Sequence, residues 1–228
     1  MKRLLLLPIL LVATFTVSAQ PNLSGAYGYS FKPQGNTGND KNATGPNGSL
    51  VLLKMDGNKY RFWLDVTLGW PNYNSGETDG TMTFVNDTAS FDNTFEDAEK
   101  PCILKFKIAA KTITIDSKST SFNCGFGNGV NADGDYTFLK EQPVMNYEWL
   151  KKQYYQTPTF TIKVNKAEVF QDENGMRPFP KNQYFVKGDS LLSIAETEKT
   201  VYTEIITPAG KFIYGWIKKT GIKMADED

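Results

Sequence analysis

From Tyr60 to Trp70 the chain puts a large apolar side chain at every second position: Tyr60, Phe62, Leu64, Val66, Leu68 and Trp70. Arg61, Trp63, Asp65, Thr67 and Gly69 lie between them. Successive strand side chains point to opposite faces, so this order gives one apolar side and one mostly polar side. Helical spacing would scatter the six around the axis. Leu50 to Met55 precedes this segment, and Asp56-Gly57-Asn58 joins the two, which predicts a hairpin whose turn tolerates positive φ.

The same grammar recurs at Gly25–Phe31, Thr81–Val85, Thr88–Phe91, Cys102–Ile108, Thr112–Ile115 and Asp135–Leu139. Residues 20–139 therefore read as an eight-stranded antiparallel β domain, closed as a barrel or packed as a sandwich; closure removes exposed edges. Gly25-Ala26-Tyr27 and Gly134-Asp135-Tyr136 share a Gly-x-Tyr pattern, and the first and last strands are expected to pair. The stretch from Lys32 to Asn47 is rich in Gly, Asn and Pro and reads as an exposed loop. Residues 140–158 read as a connector with a short helix near Asn146–Tyr154, carrying Tyr147, Leu150 and Tyr154 on one side. Residues 159–228 form a second strand-rich unit. Its candidate strands are Phe160–Val164, Ala167–Phe170, Tyr184–Val186, Leu191–Ala195, Val201–Ile206 and Phe212–Ile217. The expected class is all-β.

Residues 1–19 read as a secretory signal peptide. Lys2-Arg3 is a basic start, Leu4 to Val17 is apolar, and Val17-Ser18-Ala19 supplies small residues for cleavage. The apolar run is too short to span ~30 Å of hydrocarbon, so no membrane span is expected after cleavage. The implied location is periplasmic or secreted. Cys102 and Cys124 are the only cysteines, and an oxidising compartment predicts a disulfide worth ~3 kcal/mol between them. Without Lys2 and Arg3 the chain carries 23 basic against 25 acidic residues, with no basic cluster, which argues against a nucleic-acid partner.

The second unit resembles bacterial SH3-like domains of exported envelope proteins. The resemblance rests on Phe185-Val186-Lys187-Gly188-Asp189, Leu191-Leu192, Tyr202-Thr203-Glu204-Ile205 and Gly215-Trp216-Ile217-Lys218. Gly188 permits a turn, Gly215 lets two backbones approach closely, and Trp216 is expected to fill the small core. The family's central Gly-Trp-Tyr segment is replaced by Lys199-Thr200-Val201-Tyr202. Related domains bind peptidoglycan peptides or proteins. The first unit is similar to an uncharacterised exported β domain marked by Cys-Gly-Phe-Gly before a Gly-x-Tyr strand, here Cys124–Gly127 and Gly134–Tyr136. Related domains occur near lysozyme inhibitors.

The chain has no histidine, which removes Ser-His-Asp triads, Cys-His nucleophile pairs and His-ligated zinc. No cofactor or metal is expected. Asn131-Ala132-Asp133-Gly134-Asp135 reads as a hairpin turn, because the later Glu and the flanking helices of a calcium loop are missing. Trp70, Tyr73 and Phe126 are the candidate ligand-binding residues: Gly69–Asn74 sets two aromatics beside amides, and Phe126 sits in a glycine-rich segment. These features predict a non-enzymatic envelope protein that binds peptidoglycan or another envelope protein. An inhibitor of a wall-degrading hydrolase such as lysozyme is one alternative. The other is a carboxylate-dependent glycosidase using Asp65, Glu77 or Asp79.

Overall fold

The computed structural model describes residues 22–33, 35–38, 40–93, 101–117, 121–180 and 183–224, so the expected leader at 1–19 lies outside the described residues. Eight strands form one antiparallel sheet: β1 (Gly25–Ser30), β2 (Asn47–Lys54), β3 (Lys59–Thr67), β4 (Ser75–Thr83), β5 (Thr88–Asn93), β6 (Cys102–Ala109), β7 (Thr112–Asp116) and β8 (Gly134–Phe138). Their order is β4-β3-β2-β1-β8-β7-β6-β5. β1 and β8 pair as the repeated Gly-x-Tyr pattern predicts, with Tyr27 opposite Phe138 and Gly28 opposite Thr137.

The two edge strands of that sheet follow one another in sequence. Asn86 and Asp87 link them with φ of 48° and 63°, and Val85 and Thr88 exchange backbone hydrogen bonds of 2.8 and 3.1 Å. Two consecutive positive φ angles make a tight hairpin turn. A sheet whose first and last strands are tied this closely must curl until its edges meet, so the fold is a nearly closed barrel rather than a sandwich. At the seam two aromatic rings replace bulk that β4 lacks. A Cβ on Gly80 would lie 2.3 Å from the Phe91 ring, and one on Gly76 would lie 2.4 Å from the Phe126 ring. The Cys102–Cys124 disulfide fixes the segment that carries Phe126.

Glycine explains two of the boundaries that differ from the sequence reading. β4 begins at Ser75 rather than Thr81, because Gly76 and Gly80 interrupt its apolar pattern. β3 stops at Thr67, because Gly69 turns the chain at φ 75° and the Trp70 N–H donates to the Thr44 carbonyl at 2.7 Å.

Side chains fill the barrel. Leu50, Leu52, Phe62, Leu64, Phe84, Leu104, Phe106, Ile113, Ile115 and Tyr136 are all fully buried. Eight strands enclose a space just wide enough for such a core. Polar tips inside it are satisfied locally: Tyr27 donates to the Leu23 carbonyl at 2.9 Å, and Tyr136 to the Ala132 carbonyl at 3.0 Å.

The helix α1 (Tyr147–Gln153) follows, with the Asn146 side chain accepting from the Trp149 N–H at 2.9 Å as its N-cap. Beyond it lie β9 (Thr159–Ile162), β10 (Lys166–Glu168), β11 (Tyr184–Val186), β12 (Ser190–Leu192), β13 (Ala195–Glu196), β14 (Thr200–Ile206), β15 (Phe212–Lys218) and β16 (Ile222–Met224). They make small antiparallel sheets ordered β12-β9-β16, β13-β14-β15 and β10-β11 around a core of Phe160, Ile162, Val169, Phe185, Leu191, Val201 and Ile217. The expected strand Leu191–Ala195 splits in two. Ser193 N–H turns to the Pro158 carbonyl and Ile194 N–H to that of Tyr202, so the chain changes partner there. Gly215 brings two backbones together: Phe170 and Trp216 exchange hydrogen bonds of 2.8 and 2.9 Å, and a Cβ on Gly215 would lie 2.7 Å from the Phe170 carbonyl oxygen. Trp216 does not fill the small core. Strand alternation turns Gly215 and Ile217 inward and sets Trp216 on the opposite face, its ring 5.4 Å from that of Tyr202.

The C-terminal sheets pack on the barrel. Ala26, Val51, Leu53 and Trp63 project from the outer face of β1–β3 and form one buried cluster with Leu150 of α1, Leu192 and Ile206. Tyr147 and Tyr154 join Leu150 against this face, as the helical spacing predicts. Among the described residues no helix is long and apolar enough to cross a membrane.

The buried tyrosines set an alkaline limit. Burial, reinforced by the nearby Tyr60, pushes the Tyr27 phenol up to about 12, and burial also raises Tyr136, Tyr154 and Tyr202. The folded state therefore holds protons that the unfolded chain releases near pH 10. The resulting stability is present below pH 10 and is lost as pH rises toward 12. Urea titrations across this range should show roughly 2–3 kcal/mol lost through Tyr27 alone, with the buried tyrosines adding their share of the tyrosinate absorbance only on unfolding.

Candidate functional site

The aromatic residues singled out in sequence lie at one end of the barrel. Gly69 reverses the chain there, and the Tyr73 N–H closes the turn on the Gly69 carbonyl at 2.8 Å. Tyr73 takes a positive φ of 52° and is 43% exposed, and Trp70 is half-buried beside it, the rings perpendicular at 6.4 Å. Phe126 does not share this surface: it is buried in the barrel core against Gly76. Its glycine-rich segment is a constrained turn in which Gly127 N–H donates to the Ser75 carbonyl at 3.0 Å and Asn74 Nδ2 to the Asn128 carbonyl at 2.7 Å. Beside this loop a groove of about 260 Å³ is lined by Tyr29, Phe31, Leu68, Asn131 and Asp133. Phe31 is 63% exposed. The rim thus offers aromatic faces next to amide and carboxylate groups.

The side chains of the Asn131–Asp135 segment hydrogen-bond within the protein, Asn131 Oδ1 accepting from the Asp133 N–H at 3.1 Å. The Asp133 carboxylate accepts from the Ser117 N–H at 2.6 Å, and Asp135 accepts from the Thr114 hydroxyl at 2.6 Å. No group of three or more metal-ligating side chains occurs among the described residues.

The three carboxylates weighed for glycoside hydrolysis all sit on the outer face of β3 and β4. Asp65 is directly opposite Glu77, and both are exposed. Partial desolvation and the Glu77 charge raise the Asp65 carboxyl. Asp79 is ion-paired with Arg61.

That ion pair belongs to a network that joins barrel, helix and ribbon. Arg61 is buried on the outer face of β3, and its Nε lies 3.0 Å from the Glu204 carboxylate on β14. Its Nη2 donates to the Tyr154 hydroxyl at 2.6 Å and to Asp79. The Tyr154 hydroxyl donates to Glu204, as does that of Tyr202 at 3.2 Å. The guanidinium also stacks over Trp63 at 5.0 Å. Glu204 is 1% exposed; burial raises its carboxyl, opposed by the Arg61 charge and by the hydroxyl hydrogen bonds. Sequence reading missed this network. Its signal is Arg61 between Tyr60 and Phe62-Trp63, and Glu204 just before Ile205-Ile206, charges set beside the apolar residues of their strands.

Tyr202 carries the network to an open cleft of about 490 Å³ between the two parts of the molecule. The β2–β3 hairpin and β4 supply Asp56, Lys59 and Thr81, and the C-terminal part supplies Gln171, Phe179, Tyr202 and Tyr214. Phe179 and Tyr214 meet edge to face at 5.4 Å.

Comparison with protein-family models, curated proteins and solved structures finds no match.

Removing one partner of the Arg61–Glu204 pair strands a buried charge, so Arg61→Met should cost about 3–5 kcal/mol in urea unfolding. The double variant Arg61→Met/Glu204→Leu should recover most of that loss, and a double-mutant cycle measures the coupling.

Proposed function

We propose that this chain is an exported, non-enzymatic binding protein of the bacterial cell envelope that holds peptidoglycan or an envelope protein at the aromatic rim around Trp70 and Tyr73. The observation that carries this reading is the pairing of these two rings at one end of a barrel whose interior is full, next to a groove bearing Asn131 and Asp133. A full barrel leaves ligand contact to its outside surfaces. Exposed aromatic faces beside amide and carboxylate groups suit sugars and peptides, whose apolar faces stack while their polar groups hydrogen-bond.

The absence of histidine and the open setting of Asp65 and Glu77 favour binding over turnover. Export is supported by the basic, apolar and small-residue order of the first nineteen residues and by the Cys102–Cys124 bond. The SH3-like resemblance adds an envelope setting.

Residues 20–228 should be retained on purified sacculi or on an envelope-protein extract at moderate salt. Trp70→Ala and Tyr73→Ala should each weaken apparent affinity about tenfold or more with an unchanged circular dichroism spectrum. Full retention of the double variant, or no retention of the unaltered protein on either material, contradicts the reading.

A further inference from the structure

We propose that the cleft between the β2–β3 hairpin and the β14–β15 ribbon is a second binding site, one that takes a small zwitterion of the amino-acid or short-peptide class. The cleft encloses about 490 Å³, within the range of small-molecule sites. Both parts of the molecule build it, and such junctions commonly hold ligands.

Its walls carry groups for both charges of that ligand. Phe179, Tyr202 and Tyr214 present aromatic rings, and Asp56 adds a carboxylate at the hairpin turn. Aromatic faces beside a carboxylate favour an ammonium group. Lys59, three residues on across the same tight turn, supplies the charge for the ligand's carboxylate. Asp56 and Lys59 have no ion-pair partner among the described residues, so both charges are available. Gln171 donates its Nε2 to the Pro178 carbonyl at 3.0 Å, which leaves Oε1 as an acceptor. Behind these groups the Glu204 network holds the Tyr202 hydroxyl in place, so this wall is fixed before a ligand arrives.

Calorimetric titration of residues 20–228 with tri-alanine bearing free ends tests this, with N-acetyl and C-amide forms as comparisons. Saturable binding is expected, about tenfold weaker after N-acetylation and about tenfold weaker in Asp56→Asn. Lys59→Gln should weaken the free peptide similarly and become indifferent to C-amidation. Tyr214→Phe should keep binding and Tyr214→Ala should lose it, while Trp70→Ala should leave it unchanged, which separates this site from the rim. No saturable heat up to about 10 mM peptide overturns the proposal. Equal affinity for free and capped peptides, or an affinity untouched by Asp56→Asn, also overturns it.

Discussion

β2 is apolar on both faces from Leu50 to Leu53 and β3 adds Trp63 to its outer side, and the rest of the molecule follows from that. One set of side chains, Leu50, Leu52, Phe62 and Leu64, fills the barrel. The alternate set, Val51, Leu53 and Trp63, points outward and would meet water if the barrel stood alone. Burying each large apolar side chain is worth roughly 1.5–3 kcal/mol. The chain meets that constraint by laying α1 and the β14–β15 ribbon over the outer face. The ribbon is two-sided for the same reason: Val201 and Ile217 enter the small core, while Ile206 and Phe212 face the barrel.

The buried Arg61–Glu204 pair sits between these apolar contacts and plays a different part. Desolvating two charges offsets most of their attraction, so such a pair adds little net stability over apolar residues of the same size. It does penalise misplacement, because a shifted ribbon would leave a guanidinium and a carboxylate buried without partners. Apolar contact is non-directional and brings the two parts together. The ion pair, with the hydroxyls of Tyr154 and Tyr202, fixes one orientation, and that orientation shapes the cleft at the open end of the seam.

Most of the fold was legible in the sequence because strand alternation is local. All eight barrel strands were placed, as were the pairing of the first with the last and the helix around Leu150. β4 was cut short because Gly76 and Gly80 serve the seam by being small, and smallness carries no hydrophobic signal. Trp216 was misplaced because periodicity tells which residues share a face but not which face turns inward. The cleft was not legible at all: its walls come from two segments, one ending at Thr81 and the other beginning at Gln171, and only docking brings them together. The unbroken run Leu50-Val51-Leu52-Leu53 held the clue, since a strand with solvent on one side would alternate.

Native-state hydrogen exchange tests most directly whether barrel and ribbon form one body. Amides of Val51 and Trp63 in the barrel and of Thr203 and Ile205 in β14 should open with the same free energy and the same denaturant dependence, as parts of a single cooperative unit. Exchange of the β14 amides at a distinctly lower free energy, with the barrel amides still protected, would contradict the account.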